Sequence, residues 1–155
     1  MKHYKVGYTA GVFDMFHICH LNILMNAKRY CDYLIVAVST DELSEKYKHK
    51  TPVIEFDDRV RIVQAIRYVD EVVPQTDYED KLSAAKKYKI DVMFVGDDWK
   101  GTEKWDRIER ELNANGIDLI YLPYTHSVSS AMLRKKTEMG KTNEEIISLS
   151  DRAKV

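Results

Sequence analysis

Short apolar runs alternate along this chain with longer stretches in which apolar residues return every three or four positions. Tyr4–Ala10 is extended in pattern, and Asp32–Val38 and Asp91–Val95 are almost continuously apolar and rich in β-branched residues. Runs of that kind mark strands covered on both faces. Glu71–Pro74 and Leu119–Leu122 make shorter strands, each bounded by a proline, at Pro74 and Pro123. Between them, helical spacing is carried by Leu21, Leu24 and Met25, by Ile62, Val63 and Ile66, by Leu82, Ala85 and Tyr88, and by Trp105, Ile108 and Leu112. Thr40 and its neighbours suit the start of a short helix, Gly116 the end of another. Tyr47–Pro52 has no apolar periodicity and is expected to be a mobile loop. The rhythm predicts an α/β domain with a doubly wound, mostly parallel five-stranded sheet, Rossmann-like in type, over residues 1–137. Residues 138–155 form a tail with a helical pattern at Asn143–Ser150.

In such sheets ligands bind beyond the carboxyl ends of the strands. Gly11-Val12, Ser39-Thr40, Gly96-Asp97 and Tyr124-Thr125 all fall at that edge. The densest chemistry lies in the first strand-to-helix turn, where Gly11 breaks the strand, Asp14 follows, and His17 and His20 arrive as the helix begins. Unpaired backbone N–H groups and the positive end of a helix make such a turn an anion site. An isolated pair of histidines is otherwise an ordinary surface or capping feature. His17, Cys19 and His20 are crowded enough to raise zinc, but no fourth ligand stands at recognisable spacing.

Composition narrows the partners. The 155 residues carry a formal net charge of −1, so nothing points to nucleic acid. Positive charge is local, at Lys46–Lys50 and at Arg134–Lys136, where a solvated face is the ordinary reading. The longest apolar runs are too short to cross a bilayer, and two cysteines without a disulfide-like framework suit a reducing cytoplasm.

Gly11-Val12-Phe13-Asp14 followed by His17-x-x-His20 resembles the G-[TV]-F-D…H-x-G-H signature of the cytidylyltransferase branch of the nucleotidyltransferase superfamily. The likeness continues in order through Ser39–Glu42, Arg67–Val72 and Gly96–Trp99, and is strongest toward the glycerol-3-phosphate cytidylyltransferase group. It implies an enzyme that moves CMP from CTP to a small phosphomonoester, with glycerol 3-phosphate as the favoured acceptor and Mg2+ accompanying CTP. The product would be an activated alcohol for wall, capsule or lipid assembly. An adenylyltransferase of the same superfamily, or a nucleotide-binding protein that has lost turnover, are the alternatives. A homodimer through Arg67–Val72 is also implied.

The resemblance carries roles onto particular residues. His17 and His20 would bind the triphosphate, and Lys48 and Lys50 would close over it from the mobile loop. Thr9, Ala10, Gly11, Val12, Phe13, Asp14 and Cys19 would line the nucleotide, joined by Gly96 and Asp98, with Asp14 a candidate for the metal. Arg59 is expected there as a phosphate or structural residue, and Thr125, Val128, Ser129 and Ser130 at the last turn. Tyr78, Asp97, Trp99, Arg67, Tyr124 and His126 would face the acceptor, although Tyr78 suits simple packing and Arg67 suits a helix end. No aromatic cage for a quaternary ammonium is evident, which disfavours choline phosphate. Cys19 stands where the family has glycine, and Tyr124 where it has arginine. The sulfur would either crowd the nucleotide, the favoured outcome, or pack inward as a small hydrophobe.

Overall fold

The computed structural model describes residues 2–124 and 130–139. Five strands form one sheet: β1 (Tyr4–Gly11), β2 (Cys31–Ser39), β3 (Glu71–Gln75), β4 (Val92–Gly96) and β5 (Asp118–Leu122). Their order is β3-β2-β1-β4-β5 and every pairing is parallel. The chain first builds outward from β1 to β3, then restarts at β4 on the other side of β1. That reversal opens a crevice at the carboxyl ends of β1 and β4, the usual ligand position in an open parallel sheet.

Helices cover both faces, as the runs of the central strands require. On β2, Leu34, Val36 and Val38 pack with Leu24 and Ala27 of α1 (Ile18–Lys28) and Val63 of α3 (Phe56–Gln64). The alternate residues Ile35 and Ala37 pack with Ala85 of α4 (Lys81–Lys87) and with Trp105, Ile108 and Leu112 of α5 (Glu103–Ala114). Side chains alternate across a strand, so one run of β2 feeds two cores. Leu24, Leu34 and Leu112 are fully buried, each contributing roughly 1.5–3 kcal/mol by leaving water.

Three boundaries differ from the periodicity. α2 (Asp41–Lys48) takes in Tyr47 and Lys48, which the pattern assigned to a loop. Thr40 caps it by accepting from the Leu43 N–H at 3.2 Å, and Asp41 and Glu42 at its start with Lys46 and Lys48 at its end complement the helix dipole. Pro74 lies inside β3 rather than ending it, tolerated because β3 is an edge strand. α6 (Ser130–Met139) runs past residue 137, so the expected boundary falls within a helix. The helical pattern at Asn143–Ser150 lies outside the described residues.

Candidate functional site

The turn after β1 is held in an unusual shape. Phe13 (φ 54°) and Met15 (φ 48°) both take left-handed backbone, whereas Gly11 does not. The space beside Gly11 is filled by the Phe13 ring, 3.1 Å from where a Cβ would stand. Phe13 is 6 % exposed and belongs to the core, and that packing is what holds a non-glycine residue in this conformation.

Asp14 organises the turn. Its carboxylate accepts from the backbone N–H of Val53 (2.9 Å) and Ile54 (3.0 Å) and pairs with Arg134 of α6. Burial opposes its charge, but those N–H groups and the guanidinium outweigh burial and hold its pKa below the usual carboxylate value. One side chain thus joins β1, the segment before α3, and α6. Its oxygens are therefore already committed. No group of three or more metal-ligating side chains occurs among the described residues. The described residues thus build no cage of their own for Mg2+ or for zinc, and Asp14 has a structural role in the turn.

His17 and His20 form the N-terminal cap of α1 between them. The Cys19 N–H donates to His17 Nδ1 (3.3 Å), and the His17 N–H donates to His20 Nδ1 (3.2 Å), a capping box built from two imidazoles. The rings stack with centroids 3.9 Å apart. Burial lowers the pKa of His17, and burial with the neighbouring His17 lowers that of His20 to about 3, against an opposing pull from Asp14. Both rings are consequently neutral near pH 7. With each Nδ1 accepting, each proton sits on Nε2, so the pair presents two N–H donors. Donors of this kind suit phosphate oxygens.

Both histidines line a cavity of about 300 Å³. Its other walls are Val12, Phe13, Asp14, Cys19, Lys48, Lys50, Tyr124 and Arg134, together with Ser44 of α2. A second cavity of about 410 Å³ adjoins it, sharing Val12 and Lys48. This one is lined by Ala10 and Gly11, by Tyr78 and Trp99, and by Tyr8, Tyr47, Lys81, Lys104 and Trp105. Most of the expected site residues therefore gather at the crevice between β1 and β4.

Several do not. Thr9 is 2 % exposed, and its hydroxyl donates to the Phe94 carbonyl at 3.1 Å, tying β1 to β4 instead of facing a ligand. Arg59, expected at the nucleotide, is fully buried. It donates to the carbonyls of Ile54 (2.9 Å), Val12 (2.7 Å) and Ser39 (2.8 Å) and to Asp41 (2.6 Å), which makes it the structural residue of the two readings. Arg67, expected at the acceptor, precedes the amino end of β3 and lies over the Tyr68 ring, at the opposite edge of the sheet. Lys48 sits on the last turn of α2 and not on a loop. Cys19, although 2 % exposed, lines the histidine cavity.

Asp97 and Asp98 line neither cavity. Asp97 accepts the Tyr124 N–H at 3.1 Å, and Asp98 folds back over Gly96, where a Cβ would stand 2.5 Å from its carboxylate oxygen. The absence of a side chain at Gly96 lets the exposed Asp98 carboxylate lie against the backbone there. Tyr124, expected at the acceptor, lines the histidine cavity. Thr125, His126, Val128 and Ser129 lie outside the described residues, and Ser130 is placed as the first residue of α6.

Sequence reasoning missed Arg134 and Lys81. Arg134 belongs to a basic run that reads as solvated, yet it spans 120 positions to reach Asp14. Lys81 is 8 % exposed at the start of α4, a burial that charge patterning gives no sign of. Aromatic side chains also do converge, at Tyr8, Tyr47, Tyr78, Trp99 and Trp105, where no cage was evident from the sequence.

The sequence and the fold both have relatives among known proteins. Residues 8–136 match a family model described as cytidylyltransferase-like. The chain is 37% identical over 128 residues to the glycerol-3-phosphate cytidylyltransferase of Bacillus subtilis, covering 83% of this chain and 93% of that protein. It is 36% identical over 131 residues to an FAD synthase of Pyrococcus abyssi, covering 82% and 86%. Among solved structures, a lipopolysaccharide core biosynthesis protein of Thermoplasma volcanium shares the fold with a TM-score of 0.64 at 23% identity, over 79% of this chain and 97% of that one.

Proposed function

The chain belongs to the cytidylyltransferase-like family, and from that premise we propose that it transfers CMP from CTP to a small phosphomonoester, with glycerol 3-phosphate as acceptor. It is a nucleotidyltransferase. An oxygen of the acceptor phosphate attacks the α-phosphorus of CTP, a new P–O bond forms, the bond to the bridging oxygen breaks, and pyrophosphate leaves. A phosphate monoester has its second pKa near ~6 and is already ionised, so no general base is needed. What the protein must supply is position and donors aimed at developing charge.

The single observation that carries the reading is the paired-histidine cap. Because each Nδ1 is consumed inside the turn, the two Nε2–H groups are fixed as donors without any proton having to be taken up first. In this reading they hold the α- and β-phosphate oxygens, while Lys48, Lys50 and Arg134 add charge around the same cavity. Mg2+ enters with the triphosphate, whose oxygens suit it better than the committed carboxylate of Asp14. The acceptor occupies the adjoining cavity, entering beside Lys48. A homodimer and a cytoplasmic setting complete the proposal, and no helix among the described residues is long and apolar enough to cross a membrane.

The FAD synthase relatives keep adenylyl transfer as a second reading, since donors to phosphate do not choose a base. A pyrophosphate-release assay of CTP and ATP, with Mg2+, against glycerol 3-phosphate, phosphocholine, phosphoethanolamine and FMN separates the two. CTP with glycerol 3-phosphate is expected to be fastest. Faster release from ATP with FMN would overturn the cytidylyl assignment in favour of the second reading.

A further inference from the structure

Two buried donors in the wall of the histidine cavity have no partner among the described residues. Ser44, inside α2, is 2 % exposed and lines that cavity, yet its hydroxyl is unbonded. A serine within a helix ordinarily bonds back to the carbonyl four residues earlier. Here that oxygen, on Thr40, takes the Ser44 N–H at 3.1 Å, and the hydroxyl does not join it. From α6, the Nε of Arg134 is likewise buried in the same wall and unbonded, while the other end of its guanidinium is held by Asp14.

A buried hydroxyl left unpaired costs stability, and serine is a poorer helix former than alanine. Folding alone would therefore favour alanine at this position. A ligand that brings acceptor oxygens into the cavity removes the cost. Lys48 follows Ser44 by one turn on the same side of α2 and lines the same cavity, as does Lys50, so the chemistry that fits is anionic.

Position along α2 selects the part of the triphosphate. Lys48 lines both cavities, where acceptor and α-phosphorus must meet, whereas Ser44 lines the histidine cavity and not the adjoining one. Four residues of helix separate the two by about 6 Å. In an in-line displacement the leaving group points away from the attacking oxygen. An acceptor arriving from the adjoining cavity therefore directs the pyrophosphate toward Ser44.

We infer that the Ser44 hydroxyl binds the terminal phosphates of the nucleoside triphosphate and holds the pyrophosphate as it leaves, with Arg134 Nε as the second donor at that end. The inference rests on the nucleotidyl-transfer reading above. Ser44 acts by hydrogen bonding alone, and no covalent bond to it forms or breaks.

The test is the preference for CTP over CMP, measured by calorimetry with Mg2+ in the wild type, Ser44→Ala and Ser44→Cys. The wild type is expected to bind CTP more tightly than CMP. Both variants should lower that ratio by at least about tenfold, the worth of a hydrogen bond to a charged group, with the Kd for CMP unchanged. Ser44→Cys keeps the bulk but offers only a weak donor, so it separates the hydroxyl from the space it fills. Without nucleotide, Ser44→Ala should melt at or a few degrees above the wild type, because it removes an unpaired buried group. A ratio unchanged in either variant, an equal loss for CTP and CMP, or a wild type that binds the two alike overturns the inference. A Ser44→Ala that melts well below the wild type also overturns it, by showing that the hydroxyl serves the fold. If CTP binds but no acceptor releases pyrophosphate from it, the transfer reading fails while the ratio still decides the role of Ser44. If ATP binds and CTP does not, the cytidylyl reading fails, and the ratio of ATP to AMP decides by the same criteria. If neither triphosphate binds, both readings fall.

Discussion

Replacing Arg59 should destabilise this protein rather than weaken its grip on a nucleotide. The side chain is fully buried and joins three backbone carbonyls, those of Val12, Ser39 and Ile54, to the carboxylate of Asp41. Asp41 is 35% exposed in its side chain and can be rehydrated, so its loss contributes at most ~1 kcal/mol. The three carbonyls matter more. Leaving buried acceptors unpaired costs about 1–3 kcal/mol each, and the void left by a large side chain adds to that. Taking the low end throughout, Arg59→Ala should cost about 4 kcal/mol, a large share of the roughly 5–15 kcal/mol available to a domain. For this size of chain that corresponds to about 8–16 °C in Tm. Arg59→Lys keeps a charge but gathers its donors on one nitrogen, so it cannot span four separated acceptors and should recover only part of the loss. Urea and thermal unfolding measure the stability, and calorimetry with CTP on the folded fraction measures binding. A variant that melts within about 2 °C of the wild type but binds CTP many times more weakly would refute the structural assignment and return Arg59 to the phosphates.

Three further outcomes follow from the turn after β1. His17→Asn should preserve α1, because asparagine is among the best N-caps, while lowering turnover by on the order of 10²–10³ through loss of a donor; full turnover in a folded His17→Asn would reduce His17 to a cap. His20 has a folded-state pKa of about 3 against an ordinary 6.5, so its contribution to stability is complete above pH 6.5 and is lost as pH falls from there toward 3. His20→Asn should flatten that part of the curve of stability against pH, and an unchanged curve would show that other groups set it. Cys19 and Cys31, both 2 % exposed, should resist iodoacetamide in the native protein and react in urea. Cys19→Gly should leave the rate close to wild type, whereas a several-fold gain would show that the sulfur displaces the reacting phosphate.

What the sequence determines by itself here is everything that repeats locally. Alternation and β-branching along Asp32–Val38 mark a strand buried on both faces, and the helical spacing of Trp105, Ile108 and Leu112 marks the helix that covers one of them. Right-handed parallel connections then place Gly11, Ser39 and Gly96 at one edge, so the position of the crevice was legible without coordinates. The pair of histidines was legible as a helix start for the same reason. Only the tertiary structure decided what each side chain at that edge touches. Arg59 and Lys81 look alike in sequence, single cations near a helix. One finds four oxygens and becomes a strut, while the other is held over aromatic rings beside an open cavity and keeps its donors. Asp14 is tied to Val53, Ile54 and Arg134, partners up to 120 positions away. Periodicity is a property of neighbours along the chain. The partner of a buried charge is set by which distant segments the sheet brings against it, and no local pattern carries that information.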